Sequence, residues 1–277
     1  MAFQKAQKKN ARLRLALSGT AGAGKTYTAL LIAKAFGKKI AVMDSERGSS
    51  ELYSDLVDFD VSNLTTKTVQ EYREEIQAAA RDGYDVLVID SYSHSWISAL
   101  ETVDKMGGSK FSNGWKVVSP LVGKLVDDIL SYPGHVIATM RTKADYAIEN
   151  VNGKLTPKKL GMATVARDGT DYEFGVMLDL TVDGAISVSK SRCPTIPPAS
   201  AYTREDLEGI IKRLKAWLGS GAARSHADEI AERIRFAASL DVLATLVEEI
   251  KTLDSAERAA LGPIFLQKKR ELAEVIA

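Results

Sequence analysis

From Arg12 to Leu17 apolar and polar positions alternate into Ser18, the mark of a short strand. From Thr26 to Phe36 apolar residues fall instead at Ala29, Leu30, Ala33 and Phe36, the stripe of a helix that Gly37 stops. Lys39 to Asp44 reads as a second strand, and Thr68 to Ala80, with Val69, Tyr72, Ile76 and Ala79, as a helix. Tyr84 to Asp90 is a nearly continuous apolar run ending on a carboxylate. A parallel strand covered on both faces reads this way, because neither face meets water. A helix over Leu121 to Leu130 and a strand over Gly134 to Thr139 continue the alternation. The pattern predicts an α/β domain with a mostly parallel sheet and ligands at the carboxyl ends of its strands.

Beyond Arg141 the pattern changes. Asn152-Gly153 and Asp183-Gly184, each flanked by strand-like segments, predict hairpins and hence a β-hairpin appendage. Pro194, Pro197 and Pro198 break the chain, and Thr203 with Asp206 forms a capping box before a helix carrying Leu207, Ile210, Ile211, Leu214 and Leu218. Gly219-Ser220-Gly221 reads as a flexible link. Past it, Ser225 and Asp228 open a helix with Ile230 and Ile234, a second helix carries Leu240, Leu243, Val247 and Ile250, and a third, starting at Asp254, is interrupted by Gly262-Pro263. The expected organisation is a basic N-terminal tail over 1–11, an α/β core over 12–218 and a small C-terminal helical module over 222–277, at a size where a core is marginal alone.

Between the first strand and the first helix stands Gly19-Thr20-Ala21-Gly22-Ala23-Gly24-Lys25-Thr26, which fits G-x-x-x-x-G-K-[ST] and sits where that pattern must sit to hold phosphate. The glycines let the loop turn so that its backbone N–H groups and the helix N-terminus, up to Tyr27, converge on a β-phosphate. Lys25 reaches the β and γ oxygens and the Thr26 hydroxyl ligates Mg²⁺. ATP and Mg²⁺ are the implied ligands, in a P-loop NTPase. Asp90, closing the more apolar strand, is the natural second contributor to the Mg²⁺ site. Glu46, two residues past the strand that ends at Asp44, has the reach to orient and deprotonate a water attacking the γ-phosphate. Thr142-Lys143-Ala144-Asp145 imitates a guanine-reading motif, but Asp90-Ser91-Tyr92-Ser93 lacks the glycine that a GTPase switch places after its carboxylate.

The bulk numbers change the picture in few places. At 277 residues and 45 % hydrophobic, the chain has material for one good-sized core and a small second domain. No run approaches the 18 apolar residues of a membrane span, so no membrane partner is expected, and the lone Cys193 suits a reducing cytoplasm. Net charge is +1, yet between Met1 and Met43 there is no acidic residue against nine basic ones. This is either a solubilising, partly disordered tail or a nucleic-acid-facing surface. Two segments combine cations with aromatics or glycines in the manner of single-stranded DNA contacts: Lys105 to Lys116, with Lys110, Phe111, Trp115 and Lys116, and Arg141 to Arg167, with Lys143, Lys154, Lys158 and Lys159. The alternatives are a loop whose Trp115 packs on the core, and a solvated hairpin. His94, His135 and His226 have no metal-ligand spacing, although His94 follows Asp90 closely enough to touch its site. The helical module carries ten Asp/Glu against eight Lys/Arg after Ser220 and reads as an assembly or protein-interaction element.

Ile40 to Glu46 resembles the strand ending in D-x-E of RecA-type recombinases, Val86 to Ser91 resembles their Walker B strand ending in D-S, Ile137 to Lys143 is similar to their I-N-Q-I-R-x-K strand, and Lys190-Ser191-Arg192 resembles their K-x-K pair. The four occur in the family's order over roughly residues 12 to 195, and the likeness is to reduced RecA-like ATPases of bacteriophages, of the single-strand annealing and recombination type. The resemblance implies a RecA-like, DNA-stimulated, Mg²⁺-dependent ATPase acting on single-stranded DNA in a bacterial host cytoplasm. It also implies a homo-oligomer with ATP at subunit interfaces, and a single-strand-binding protein or other recombination partner. Lys190 and Arg192 would then complete a neighbour's site, and Thr139 and Arg141 fall at the sensor positions, with threonine where the family has glutamine. A nucleotide-gated scaffold or helicase loader with little turnover, and a DNA-translocating motor, share the same motifs.

Overall fold

The computed structural model describes residues 5–107, 113–151 and 154–276, with the backbone alone over 145–161 and 274–276. The core is built from β1 (Arg14–Gly19), α1 (Lys25–Phe36), β2 (Ile40–Asp44), β3 (Asp60–Asn63), α2 (Val69–Arg81), β4 (Val86–Asp90), α3 (Ser93–Lys105), α4 (Asn113–Ser131), β5 (His135–Val151), β6 (Lys154–Thr164), β7 (Val176–Leu180), β8 (Ala185–Ser191), β9 (Ala201–Thr203) and α5 (Leu207–Leu218). Strand order is β3-β2-β4-β5-β1-β7-β8-β9, with β6 paired to β5 outside that row. From β3 to β7 all neighbours are parallel, and β8 and β9 add an antiparallel edge. The fold is therefore the expected α/β P-loop type with a hairpin appendage and a helical C-terminus.

The period of two along each strand sorts its side chains into two layers. Leu15, Leu17, Val86, Val88 and Ile137 face α1 and α5, with Leu30, Ile32, Ile210 and Leu214. Ala16, Leu87, Ile89, Ala138 and Met140 face the layer of α2, α3 and α4, with Tyr72, Ile76, Val118, Val122, Leu125 and Ile129. Burial on both faces is why β2 and β4 carry no polar residue before their terminal aspartates. β5 stands between β1 and β4, so its carboxyl end lies beside both the P-loop strand and the strand of Asp90.

Several expectations are corrected. The helix expected from Leu121 begins at Asn113 and runs through Pro120, and α3 and β3 were not foreseen. α3 buries Ser93, Ser95, Ala99 and Val103, a stripe too polar to register as apolar periodicity. β5 does not end at Thr139 but runs on into the hairpin, placing Thr142 to Asp145 in ladder pairs with Thr164 to Gly161, so they form no base-reading loop. The expected N-terminal tail is docked from Lys8 onward: Asn10 N–H donates to Ala222 O at 2.8 Å, Ala222 N–H to Lys8 O at 2.9 Å and Ala11 N–H to Leu218 O at 3.1 Å. The same pairing removes the flexible link. A Cβ on Gly221 would stand 2.2 Å from the Lys9 carbonyl carbon, so glycine is required there by close backbone approach.

Three helices follow: α6 (His226–Arg235), α7 (Leu240–Thr252) and α8 (Ser255–Ile276). Their common core joins Ile230, Ile234, Leu243, Leu246, Leu253 and Leu261. α8 is not interrupted at Gly262-Pro263. Pro263 withholds one amide from the exposed Ala259, whose carbonyl water can serve, while Leu261, Ile264 and Phe265 on either side stay in the apolar cluster. Phe236 leaves that cluster for the core, its ring edge-on to Tyr132 at 6.2 Å, and Lys9 pairs with Asp228 at 2.8 Å.

His135 opens β5 and accepts the Leu13 N–H on Nδ1 at 2.9 Å, a bond only the neutral ring makes. Burial, aided by Arg12 and Arg14, pushes its pKa down to about 4. The stabilisation is complete above the unfolded value near 6.5 and is lost as pH falls toward 4. Thermal unfolding between pH 7 and 4 should show a loss on the order of 2–3 kcal/mol from this residue. An Asn in its place, keeping an acceptor, should flatten that part of the curve.

Candidate active site

The carboxyl ends of the parallel strands meet at one edge. Register pairs Gly19 with Arg141, Asp44 with Asp90 and Ile89 with Ala138, so the P-loop, both strand-end aspartates and the β5 segment from Thr139 to Arg141 share it. Gly24 caps α1 in the left-handed region at φ 80°, and the first turn of α1 holds no acid, which leaves the helix N-terminus open to an anion. Thr20, Ala21 and Gly22 are exposed, Ala23 is buried, and Tyr27 lies 6.0 Å edge-on from Tyr53. Lys25 Nζ donates to Thr20 O at 2.8 Å within the loop. Burial lowers its pKa, opposed by the nearby Asp90 and Glu46 charges.

Asp90 is 2 % exposed and its two oxygens are divided. Oδ2 accepts from the Thr26 hydroxyl at 2.5 Å and Oδ1 from the Thr139 hydroxyl at 2.5 Å. Burial raises its pKa, while the two hydroxyls favour the anion. Thr139 thus reads Asp90 directly, through one short hydroxyl, from the strand interposed between β1 and β4.

The two acids of Asp44-Ser45-Glu46 part company. Asp44 is fully buried and spent on the backbone: Oδ1 accepts Glu46 N–H at 2.5 Å, and Oδ2 accepts Ser50 N–H at 2.8 Å and its hydroxyl at 2.6 Å. This carboxylate folds the loop back at Arg47 and Gly48, both at positive φ, and turns Glu46 out. Glu46 Oε1 meets Arg141, accepting from Nη2 at 2.8 Å and Nε at 3.1 Å. His94 supports the loop from α3, with Nδ1 2.6 Å from Ser45 Oγ, and burial, with Arg141 next, lowers its pKa.

Arg204 escaped the sequence reading. Its Nη2 donates to Ala23 O at 2.9 Å, and a Cβ on Gly24 would lie 2.8 Å from that nitrogen, so the guanidinium braces the P-loop from outside. No spacing or composition marks a residue whose partner is a backbone carbonyl 181 positions away.

Lys190 and Arg192 are not at this edge. Lys190 pairs with Met177 and Arg192 N–H bonds Gly175 O, whereas Gly19 pairs with Leu180, a separation of about 10 Å along β7. Their side chains converge instead on one turn: Lys190 Nζ donates to Asp171 O at 2.6 Å and Arg192 Nη2 to Tyr172 O at 3.2 Å. Of the residues read as DNA contacts, Lys116 is exposed on the first turn of α4, and Trp115 beside it is half-buried against Trp96 at 5.8 Å, packed on the core. Lys143 is exposed on β5. Lys154, Lys158 and Lys159 lie on β6, where backbone alone is described, and Lys110 and Phe111 fall outside the described residues.

A hydroxyl and a buried carboxylate in contact form an oxygen donor set that suits Mg²⁺, which takes one or two protein oxygens and completes its shell with phosphate and water. Among the described residues no group of three or more His, Cys, Asp or Glu forms a protein-only metal cage, and no helix is long and apolar enough to cross a membrane.

A family model described as an AAA domain matches residues 11–208. No curated protein matches the chain. Among solved structures, an ATPase from the type III secretion system of pathogenic bacteria is similar over 91 % of this chain and 81 % of its own, at 13 % identity and a TM-score of 0.42.

Thr139→Val keeps the volume and deletes the hydroxyl on Asp90. Denaturant unfolding should show a loss of about 1.5–3 kcal/mol, the range for a hydrogen bond to a charged group. Since a metal needs the deprotonated carboxylate, the pH below which Mg²⁺-nucleotide binding fails should also move up.

Proposed function

The chain belongs to the AAA-domain family of P-loop ATPases, and from that premise we propose an ATPase that uses Mg²⁺, assembles as a homo-oligomer and acts on single-stranded DNA. The observation that carries the reading is the meeting, at one sheet edge, of the P-loop, the Thr26–Asp90 pair and Glu46, whose charge is felt at Lys25. Backbone N–H groups of residues 19–26 and Lys25 grip the phosphates. Thr26 and Asp90 would hold Mg²⁺, which would supply positive charge against the negative charge of the triphosphate. Glu46 orients a water in line with the γ-phosphorus and takes its proton. The new bond is from water oxygen to phosphorus, the bond to the β,γ-bridging oxygen breaks, and ADP leaves with that electron pair.

Lys190 and Arg192 stand away from their own nucleotide, so in this reading they act on a neighbour's, where the arginine fork bridges two phosphoryl oxygens. The single-stranded DNA role rests on the likeness of the D-x-E, D-S and R-x-K strands to phage recombination ATPases and on the exposed Lys116 and Lys143. The basic start of the chain adds little to it, because Lys8 and Lys9 are engaged with Ser220 and Asp228.

Glu46→Gln should lower kcat by about 10²- to 10⁴-fold with ATP binding retained, read by single-turnover kinetics and nucleotide titration. Retained turnover would remove Glu46 as the base, whereas DNA-directed function kept in Glu46→Gln without turnover would favour a scaffold whose nucleotide is only bound. Specific activity should rise with protein concentration. Mixing Glu46→Gln with Arg192→Ala should give more activity than the sum of the two alone, because one interface class then has both intact halves. Purely additive mixtures would remove the trans role.

A further inference from the structure

We propose that the cleft between the start of the chain and α6 is a second anion site, which receives a phosphoryl group, free or carried in a phosphodiester strand. It lies at the amino ends of the strands, away from the nucleotide. Arg14 in its wall opens β1, and Gly19, where the P-loop begins, stands about 17 Å further along that strand.

The cleft spans about 490 Å³ between residues 9–14, the end of α4 at Leu130 and Ser131, and residues 224–235. Five basic residues and two acidic ones line it, an excess of three positive charges. Both acids are already taken: Asp228 pairs with Lys9 at 2.8 Å, and Glu232 accepts from Arg224 Nη2. Arg12, Arg14 and Arg235 have no carboxylate partner among the described residues. The four bonds of Arg14 go to main-chain carbonyls, which are dipoles and cancel no charge, and its buried Nε has no acceptor among the described residues. Burial lowers the Arg14 pKa; Glu232 opposes the shift, and Arg12 and Arg224 add to it. Arg12 and Arg235 are exposed, so their donors are open to a ligand entering from solvent.

Ala11 and Leu130 supply the apolar lining, and among the described residues no aromatic side chain joins them, so the cleft offers a base no stacking face. What it offers is N–H donors and a field of one sign, which low-dielectric walls concentrate. Guanidinium forks fit both carboxylate and phosphate, but a phosphoryl group brings three or more acceptor oxygens against two. It can therefore serve cations on both walls, Arg12 from the start of the chain and Arg235 from α6. Such an anion would also offset the buried charge of Arg14 and add to the Lys9–Asp228 pair in holding α6 to the core.

The full chain, its P-loop filled by a non-hydrolysable ATP analogue, would be compared with the Arg12→Gln/Arg235→Gln double variant. Inorganic phosphate should raise the parent's thermal midpoint by about 2–4 °C more than the variant's. A single-stranded oligonucleotide should bind the variant about three- to tenfold more weakly at low salt, with the slope of log affinity against log salt reduced by about 0.7 for each guanidinium lost from a phosphate. Arg12→Lys/Arg235→Lys, which keeps both charges, should restore the slope. Affinity for the analogue should not change, because both arginines line a cleft at the opposite edge of the sheet. A loss for phosphate alone assigns the site to a free anion; a loss for the oligonucleotide assigns it to the strand. Identical responses in parent and variant would overturn the site, and a loss for an acidic peptide with none for either phosphate probe would overturn the phosphoryl assignment. A parent that binds no oligonucleotide would count against the single-stranded DNA reading by itself, while the phosphate comparison still decides the cleft.

Discussion

One buried carboxylate holds the site together. Asp90, at the end of β4, gives one oxygen to Thr26 on the first turn of α1 and the other to Thr139 on β5, so that three elements distant in sequence share a single charge. A carboxylate at this depth is tolerated only if both oxygens are satisfied. The strand order makes that satisfaction available: β5 lies between β1 and β4, and without it Thr139 would have no path to Asp90. Whatever changes the occupancy of the Thr26 hydroxyl is therefore felt at β5, one residue from Met140 and two from Arg141.

Around that charge the acids divide their work by burial. Asp44 is consumed in shaping the loop that carries Glu46, and Glu46 is left exposed enough to meet both water and Arg141. The P-loop has its own brace in Arg204, which arrives from the antiparallel edge of the sheet just before α5. α5 leads directly to the 218–222 segment that pairs with the N-terminal residues, so the P-loop, the helical module and the start of the chain are linked through a short run of backbone.

The far edge of the sheet has a different character. There Arg14 donates to the carbonyls of Leu13, Gly134, Leu130 and Tyr132, fastening the end of α4, and burial holds its pKa down to about 10. Lys190 and Arg192 rest against Asp171 and Tyr172 beyond β7, and Tyr172 is 70 % exposed. In an oligomer with nucleotide between subunits, as proposed, one edge would carry the phosphate grip and the other the cations that complete it.

The sequence by itself determined the P-loop, the strands that end at Asp44 and Asp90, the helices of residues 25–36 and 69–81, and the place of Glu46 beyond its strand. Each of these is written in nearest-neighbour terms: a glycine spacing, an apolar run, or a period of two or 3.6. Only the tertiary structure decided what those groups touch. α3 was hidden because it buries serines, the N-terminal tail and the Gly219–Gly221 link because each is ordered only by the other, and α8 because packing on both sides of Gly262-Pro263 outweighs the local break. Thr139 on Asp90, Arg141 on Glu46 and Arg204 on the P-loop are contacts across 49, 95 and 181 positions. Their partners are single oxygens set by strand order and loop closure. A pattern along the chain records which face a residue prefers, whereas the oxygen it meets is fixed only when the strands have taken their order.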